Sequence, residues 1–315
     1  MEGNAPFFVS KNEIRSTREM LSNGLRPDGR DPNEPRRLTV DFSDGAAIVK
    51  LGSTIVSCRV IKNQVLADEN HPNQGFFSIG LSSTHKIDSY FRAETLNAVR
   101  DMFKMNNALD LESLVIQIGK LVWELKCEIV ILENDGGLFE AMTLAVGCGL
   151  LATKLPSTRG DRSLTLHHLP IPITFALIDQ RTRFVDPTVL EALACDGFLT
   201  ICANAQGEIC SIRKNGGVTL PSTVMDNCID IAVDLSKKWH LDIMNCMGDK
   251  APPLLKAIVS YDNKPPEPPK PSETVEQEVI KEMRKENPEV KQESEHEQEE
   301  NDDDDVSGMI GVFNF

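Results

Sequence analysis

The chain has 315 residues, 40% of them hydrophobic, and a formal net charge of −15. That length buries a sizeable core in one domain or two closely packed halves, and 17 acidic against six basic residues from Asp262 to Asp305 leave a net of −4 for everything else. A nearly balanced body lacks the basic excess of a protein that grips nucleic acid unaided. With no apolar run of membrane-spanning length and no signal-peptide core, the expectation is a soluble intracellular protein.

Ser10-Lys-Asn-Glu13 reads as a capping box, and Ile14, Thr17 and Leu21 share one face up to Gly24, which predicts a short helix on the outside of the body. Arg26-Pro-Asp-Gly-Arg30 reads as a turn by its local chemistry. Residues 36 to 62 alternate around Leu51-Gly-Ser-Thr54 as a strand pair, Gln64 to Asn73 is a polar loop, and Gly75 to Leu81 adds a strand. Leu96, Val99 and Phe103 mark a helix from about Arg92 to Asn106, with Asn97, Arg100, Asp101 and Lys104 outside. Leu111 to Ile118 is expected to pair, through a Gly119-Lys120 turn, with the strand that follows.

That strand is the spine of the chain. Trp123, Leu125, Cys127, Ile129 and Ile131 alternate with charged residues, and Val130 and Leu132 make its far end apolar on both faces. It stops at Asn134-Asp135-Gly136-Gly137, and Phe139 to Leu150 then read as a helix apolar nearly all round. Beyond a loop at Pro156 to Arg162, strands follow at Ile171 to Ile178, Phe198 to Ala203 and Glu208 to Arg213. Pro221 opens a helix with Val224, Cys228, Ile231, Leu235, Trp239 and Ile243 on one stripe. From Asn263 onward Pro, Glu, Lys and Gln dominate, which predicts a disordered acidic tail that ends in an apolar tip, Met309 to Phe315. The eight cysteines (Cys58, Cys127, Cys148, Cys195, Cys202, Cys210, Cys228, Cys246) lack zinc-type spacing and read as buried free thiols in a reducing compartment.

The strand-Asp-Gly-Gly-helix element, with Arg26 to Arg30, Asp110-Leu-Glu-Ser-Leu114, His167-His-Leu-Pro-Ile171, Val185-Asp-Pro-Thr188 and Asp196-Gly-Phe-Leu-Thr200, resembles the RNase PH superfamily over roughly residues 10 to 258. The ordered set is most similar to the PM/Scl-autoantigen type of RNase PH-like subunit in the eukaryotic RNA exosome ring. The resemblance implies an α+β protein with the RNase PH fold: two similar β-rich halves (ribosomal protein S5 domain 2-like) with helices packed on one side. The expected boundaries are an N-terminal helix and turn over 1–30, a first half over 31–156, a second half over 157–258 and the tail over 259–315.

Phosphorolysis of an RNA 3′ end needs a cation for the attacking phosphate and carboxylates for a metal or a proton. Active members of the superfamily typically continue Asp-Gly-Gly-Thr-Arg and place two aspartates about six residues apart in the second half. Here Asp135 is followed by Phe139 at the arginine's position, and Asp186 is followed six residues on by Ala192. Each lost charge partner typically costs about 3 to 4 kcal/mol of transition-state stabilisation, so these positions are expected to be vestigial and the chain non-catalytic, with no metal or cofactor. Asp186 is expected to cap local amides, and Glu191 to point elsewhere.

The resemblance also implies RNA contact at Lys104 and, as a substitute for the inverted charge of Asp101, at Arg100. The implied partners are other RNase PH-like subunits, paired within a six-membered ring, cap subunits with RNA-binding domains, and single-stranded RNA in the ring channel. The processes implied are 3′-to-5′ RNA processing and degradation in nucleus, nucleolus and cytoplasm. Two alternatives stay open: a phosphate-dependent exoribonuclease using Asp186 and Glu191, and a stand-alone RNA-binding module.

Overall fold

The computed structural model describes residues 9–83, 89–156, 160–180 and 182–248, so part of the loop expected at Pro156 to Arg162, the tail and its tip lie outside the described residues. Helix α1 (Lys11–Ser22) leads into a sheet built from β1 (Leu38–Ser43), β2 (Ala46–Leu51), β3 (Thr54–Leu66) and β4 (Phe76–Ser83). Helix α2 (Ser89–Lys104), β5 (Val115–Gln117), β6 (Leu121–Glu133) and helix α3 (Leu138–Leu151) follow. The sheet runs β1-β2-β3-β6-β4, antiparallel except for β4 beside β6, and β5 clips onto the start of β6.

After the small hairpin β7 (Lys154–Leu155) and β8 (Arg162–Ser163) come β9 (Ile171–Leu177), β10 (Arg183–Val185), helix α4 (Val189–Ala194), β11 (Gly197–Ala203), β12 (Ile209–Gly216) and helix α5 (Ser222–Met247). The second sheet runs β10-β9-β11-β12, antiparallel throughout.

Helix α3 explains its own composition. It packs on β2 and β3 of the first sheet and on β9 of the second, so it needs an apolar surface all round. Every residue from Leu138 to Leu151 is buried except Phe139, which is half-buried. Helix α5 lies across β1, β9 and β11, with Cys228, Trp239 and Ile243 buried beneath it. One continuous apolar core therefore spans both sheets.

Several expectations are corrected. Residues 36 to 62 hold parts of three strands, because Asp44-Gly45, with Gly45 at φ +64°, closes a second tight hairpin between Ser43 and Ala46. Strand β3 continues through Leu66 by pairing with Leu121 to Trp123, where a polar loop was expected. The strand expected from Leu111 shrinks to β5, since the Asp110 carboxylate takes the amides of Glu112 and Ser113 and bends the chain into a 3-10 turn. The far end of β6 does not bury both faces: Leu132 is 42% exposed. Helix α1 lies on the outside, with only Thr17 and Leu21 buried, and it is anchored there by Leu21 packing with Ile178, Phe184 and Ala194 and by Arg18 forking onto the Asp196 carboxylate. Helix α4 and strand β10 were not anticipated.

Leu144 is fully buried on α3. Leu144→Ala is expected to cost about 3 kcal/mol, read as a lower denaturant midpoint at unchanged slope.

Candidate functional site

The Asp-Gly-Gly turn is built by its neighbours. Thr54 accepts the Asp135 amide at 3.0 Å and donates to the Gly136 carbonyl at 2.6 Å, while Asn134 accepts the Gly136 amide at 3.2 Å. Gly136 (φ +84°) and Gly137 (φ +64°) adopt backbone angles that other residues avoid. Both are also crowded from the second half of the chain. A Cβ on Gly136 would meet the Pro187 carbonyl at 2.5 Å, and one on Gly137 would meet Arg36 Nη2 at 2.7 Å and Asp186 Oδ1 at 3.0 Å.

Asp186 itself has φ +51°, uncommon for a non-glycine residue, and is 1% exposed. Arg36 grips it bidentately, Nε to Oδ2 at 2.9 Å and Nη2 to Oδ1 at 2.7 Å, and adds its own backbone amide at 2.8 Å. The same guanidinium donates to the carbonyls of Asp135 at 2.6 Å and Gly136 at 3.1 Å. Burial alone would lower the Arg36 pKa, but the Asp186 carboxylate outweighs it and holds the group above its ordinary value. Asp135, half exposed, is pushed up by burial, with Arg36 and the Val189 amide pulling the other way. The expectation that Asp186 caps local amides is therefore replaced: the amide it accepts belongs to Arg36, 150 residues away.

Glu191 faces inward as well. Its two oxygens take Arg26 Nε at 2.8 Å and Nη2 at 2.7 Å, and Oε2 also accepts the Thr188 amide at 2.9 Å in a capping box that starts α4. Arg26, fully buried at its side chain, continues to the carbonyls of Val185 and Asp186, and Arg30 reaches Asp186 Oδ2 at 3.3 Å. The segment read as a plain turn is thus the cationic half of the cluster. Arg26, Arg36 and the capping role of Glu191 were missed. Thr188-x-x-Glu191 was a visible signal for the last; nothing local marks Arg36, whose partners lie about 100 and 150 residues along the chain.

Phe139 occupies the place expected of an arginine, and the Arg213 guanidinium sits 5.6 Å above its ring while pairing with Glu94 at 3.6 Å. Ala192 lies half-buried on α4. Beside Phe139, Glu140 is 2% exposed, and its buried Oε1 has no hydrogen-bond partner among the described residues. Burial pushes its pKa from an ordinary 4.5 up to about 7, against hydrogen bonds from Thr174 and its own amide. A buried carboxyl in the first turn of α3 takes the position where helix amides would otherwise favour an incoming anion. No cluster of three or more His, Cys, Asp or Glu able to hold a metal is present among the described residues.

The expected RNA-contact residues stand apart from this cluster, on α2. Lys104 is exposed in the last turn, and Arg100 pairs with Asp101 at 3.5 Å. Arg100 also rims a cavity of about 240 Å³ between α2 and β4, floored by Phe77, Ile79 and Leu96.

Residues 34–156 match the model of the 3′ exoribonuclease family, domain 1, and residues 168–234 match domain 2. Over 262 residues the chain is 31% identical to "Exosome complex component RRP45A" of Arabidopsis thaliana, covering 74% of this chain and 85% of that protein. It is 28% identical over 251 residues to the human "Exosome complex component RRP45", covering 71% of this chain and 57% of the human protein. A chain of a solved Archaeoglobus fulgidus exosome with RNA bound to the active site superposes with a TM-score of 0.66 at 26% identity, covering 73% of this chain and 97% of that one.

Arg36→Met strands a buried carboxylate and is expected to cost about 3 to 5 kcal/mol. Adding Asp186→Asn should recover part of that loss, seen as a coupling in a double-mutant cycle. Glu140 titrates with the opposite sign to a paired acid: its folded pKa lies above the unfolded one, so its stabilising effect is complete below pH 4.5 and is lost as pH rises to about 7. The expected decline is at most about 3 kcal/mol across that window, and Glu140→Gln should abolish it in unfolding curves taken at a series of pH values.

Proposed function

We propose, for a chain that belongs to the 3′ exoribonuclease (RNase PH) family, a structural place in an RNA exosome: a ring subunit without phosphorolytic activity that helps form the channel through which RNA passes. The observation that carries this reading is the commitment of both candidate acids. The oxygens of Asp186 and Glu191 are held by Arg26, Arg30, Arg36 and the Thr188 amide, which leaves neither carboxylate suited to hold a metal or protonate a leaving oxygen. Phe139 supplies a ring where a phosphate-binding cation would stand, and the arginine above it is shared with Glu94. The curated relatives named as exosome components support the assembly.

In this role residues 31–156 and 157–258 form the two halves, after a lead segment over 1–30 and before a tail over 259–315. The end strands β1 and β4, and Ile48 and Leu132 exposed on the first sheet, offer surface to RNase PH-like neighbours in a six-membered ring. Cap subunits with RNA-binding domains complete the assembly. Lys104 and Arg100 face single-stranded RNA in the channel, and a body with a net charge near −4 leaves most phosphate neutralisation to its neighbours. The ring serves 3′-to-5′ RNA processing and degradation, including rRNA maturation and mRNA turnover, in nucleus, nucleolus and cytoplasm.

Purified chain incubated with single-stranded RNA, magnesium and phosphate is expected to release no nucleoside diphosphate above a protein-free control; release that tracks the chain through sizing chromatography overturns the non-catalytic reading. From native extract the tagged chain should elute with RNase PH-like partners, and elution as a monomer overturns ring membership. In the assembled ring, Arg100→Glu with Lys104→Glu is expected to lower the slope of log affinity against log salt by about 1 to 1.5 without loss of assembly.

A further inference from the structure

The second sheet carries a cluster that the RNA reading leaves unused. Strands β11 and β12 pair in register until Cys202 faces Ser211; the next pair is Ala203 with Ile209, which leaves Cys210 as the extra residue of a β-bulge. A bulge places two residues of one strand opposite one of the other, and Cys210 packs against the same apolar cluster that contains Cys202. The Cys210 thiol donates to the Glu208 carbonyl at 3.8 Å, Cys202 and His168 lie near enough to shift its titration, and the buried His168 Nε2 has no hydrogen-bond partner among the described residues.

We propose that Cys202, Cys210 and His168 form a peroxide-sensitive dithiol site, with Cys210 as the attacking sulfur and Cys202 as the resolving one. Cys210 directly precedes Ser211, the residue paired with Cys202, so the two cysteines are neighbours across the ladder, and a disulfide tolerates Cα separations of about 4.4 to 6.8 Å. Cys210 is half-buried and reachable, whereas Cys202 is 1% exposed. The neighbouring Cys202 thiol holds the Cys210 thiol well below its ordinary pKa, burial opposes this, and His168 adds to the lowering. Cys202 is pushed up by Cys210 and by its own burial. A second neighbouring pair, Cys58 and Cys127, sits at 1% and 0% exposure inside the first sheet and is sealed from an oxidant.

The chemistry balances with a hydroperoxide as oxidant. The Cys210 thiolate, its proton passed to His168, attacks one peroxide oxygen; an S–O bond forms, the O–O bond breaks, and the departing oxygen takes the proton from His168 as water. Cys202 then attacks the Cys210 sulfenic acid; the S–S bond forms and the S–O bond breaks, and the thiol's proton leaves with the hydroxyl as a second water. Two thiols have lost two electrons and hydrogen peroxide has become two waters. A dithiol reductant reverses the link by exchange.

The test uses the full reduced chain, treated with limiting hydrogen peroxide, alkylated, and cleaved after glutamate, which separates Cys202 from Cys210 at Glu208. A Cys202–Cys210 linked peptide should form while the exposed Cys246 remains alkylated. Cys202→Ser should stop at a sulfenic acid on Cys210 that a dione reagent traps, and His168→Gln should slow linkage by about tenfold or more. Oxidation of Cys246 ahead of Cys210, or a linkage rate unchanged in His168→Gln, overturns the proposal. Since the wild-type readout stands alone, a variant that fails to fold leaves it decisive.

Discussion

Taking a carboxylate and a guanidinium out of water costs several kcal/mol per ion, so Asp186 and Arg36 can share the interior only because each satisfies the other. The planar fork of arginine matches both carboxylate oxygens and still has donors for the carbonyls of Asp135 and Gly136, which a lysine's point charge would not serve in one geometry. Those contacts join three distant stretches: the approach to β1, the turn after β6 and the approach to α4. The left-handed backbone of Asp186 is held by this grip, and the close approach of Pro187 explains why Gly136 has no side chain.

Arg26 and Glu191 repeat the arrangement a few ångströms away, with Arg30 between the pairs. The cations come from the chain leading into the first sheet and the acids from the second half. Helix α3 adds the apolar counterpart by burying nearly its whole surface between the two sheets. Polar contacts set the register of the halves and apolar contacts hold them together. Glu140 is the exception within α3: no arginine among the described residues bonds its Oε1, so burial makes it more comfortable neutral than charged.

How much of this the sequence revealed follows from the range of each interaction. The spine strand, its turn and the buried helix were legible because alternation, glycines and an unbroken apolar run are local signals. The capping box at Ser10 was equally plain, and its side chain does accept the Glu13 amide. Helix α4 carries the same pattern at Thr188 and Glu191, but its six residues show too little periodicity to mark a helix. The Arg36–Asp186 pair had no local mark at all, since nothing in one stretch says that a charge 150 residues away will neutralise it. The residues of the site were thus identifiable, while the partners that define their role were not.

A cleft that moves phosphate must keep a cation without a fixed anion and a carboxylate with free lone pairs, and both conditions oppose stability in a desolvated place. In this chain the charges are matched internally: Arg36 with Asp186, Arg26 with Glu191, Arg213 with Glu94. On the proposed reading, an arginine at position 139 would be out of place here, because the Arg213 guanidinium already lies over the ring at that position and the two cations would repel. If the chain is non-catalytic, as proposed, gaining phosphorolysis would require more than returning one arginine and one aspartate. The arginines that now serve the fold would also have to release their acids, and the halves would lose the contacts that set them in register.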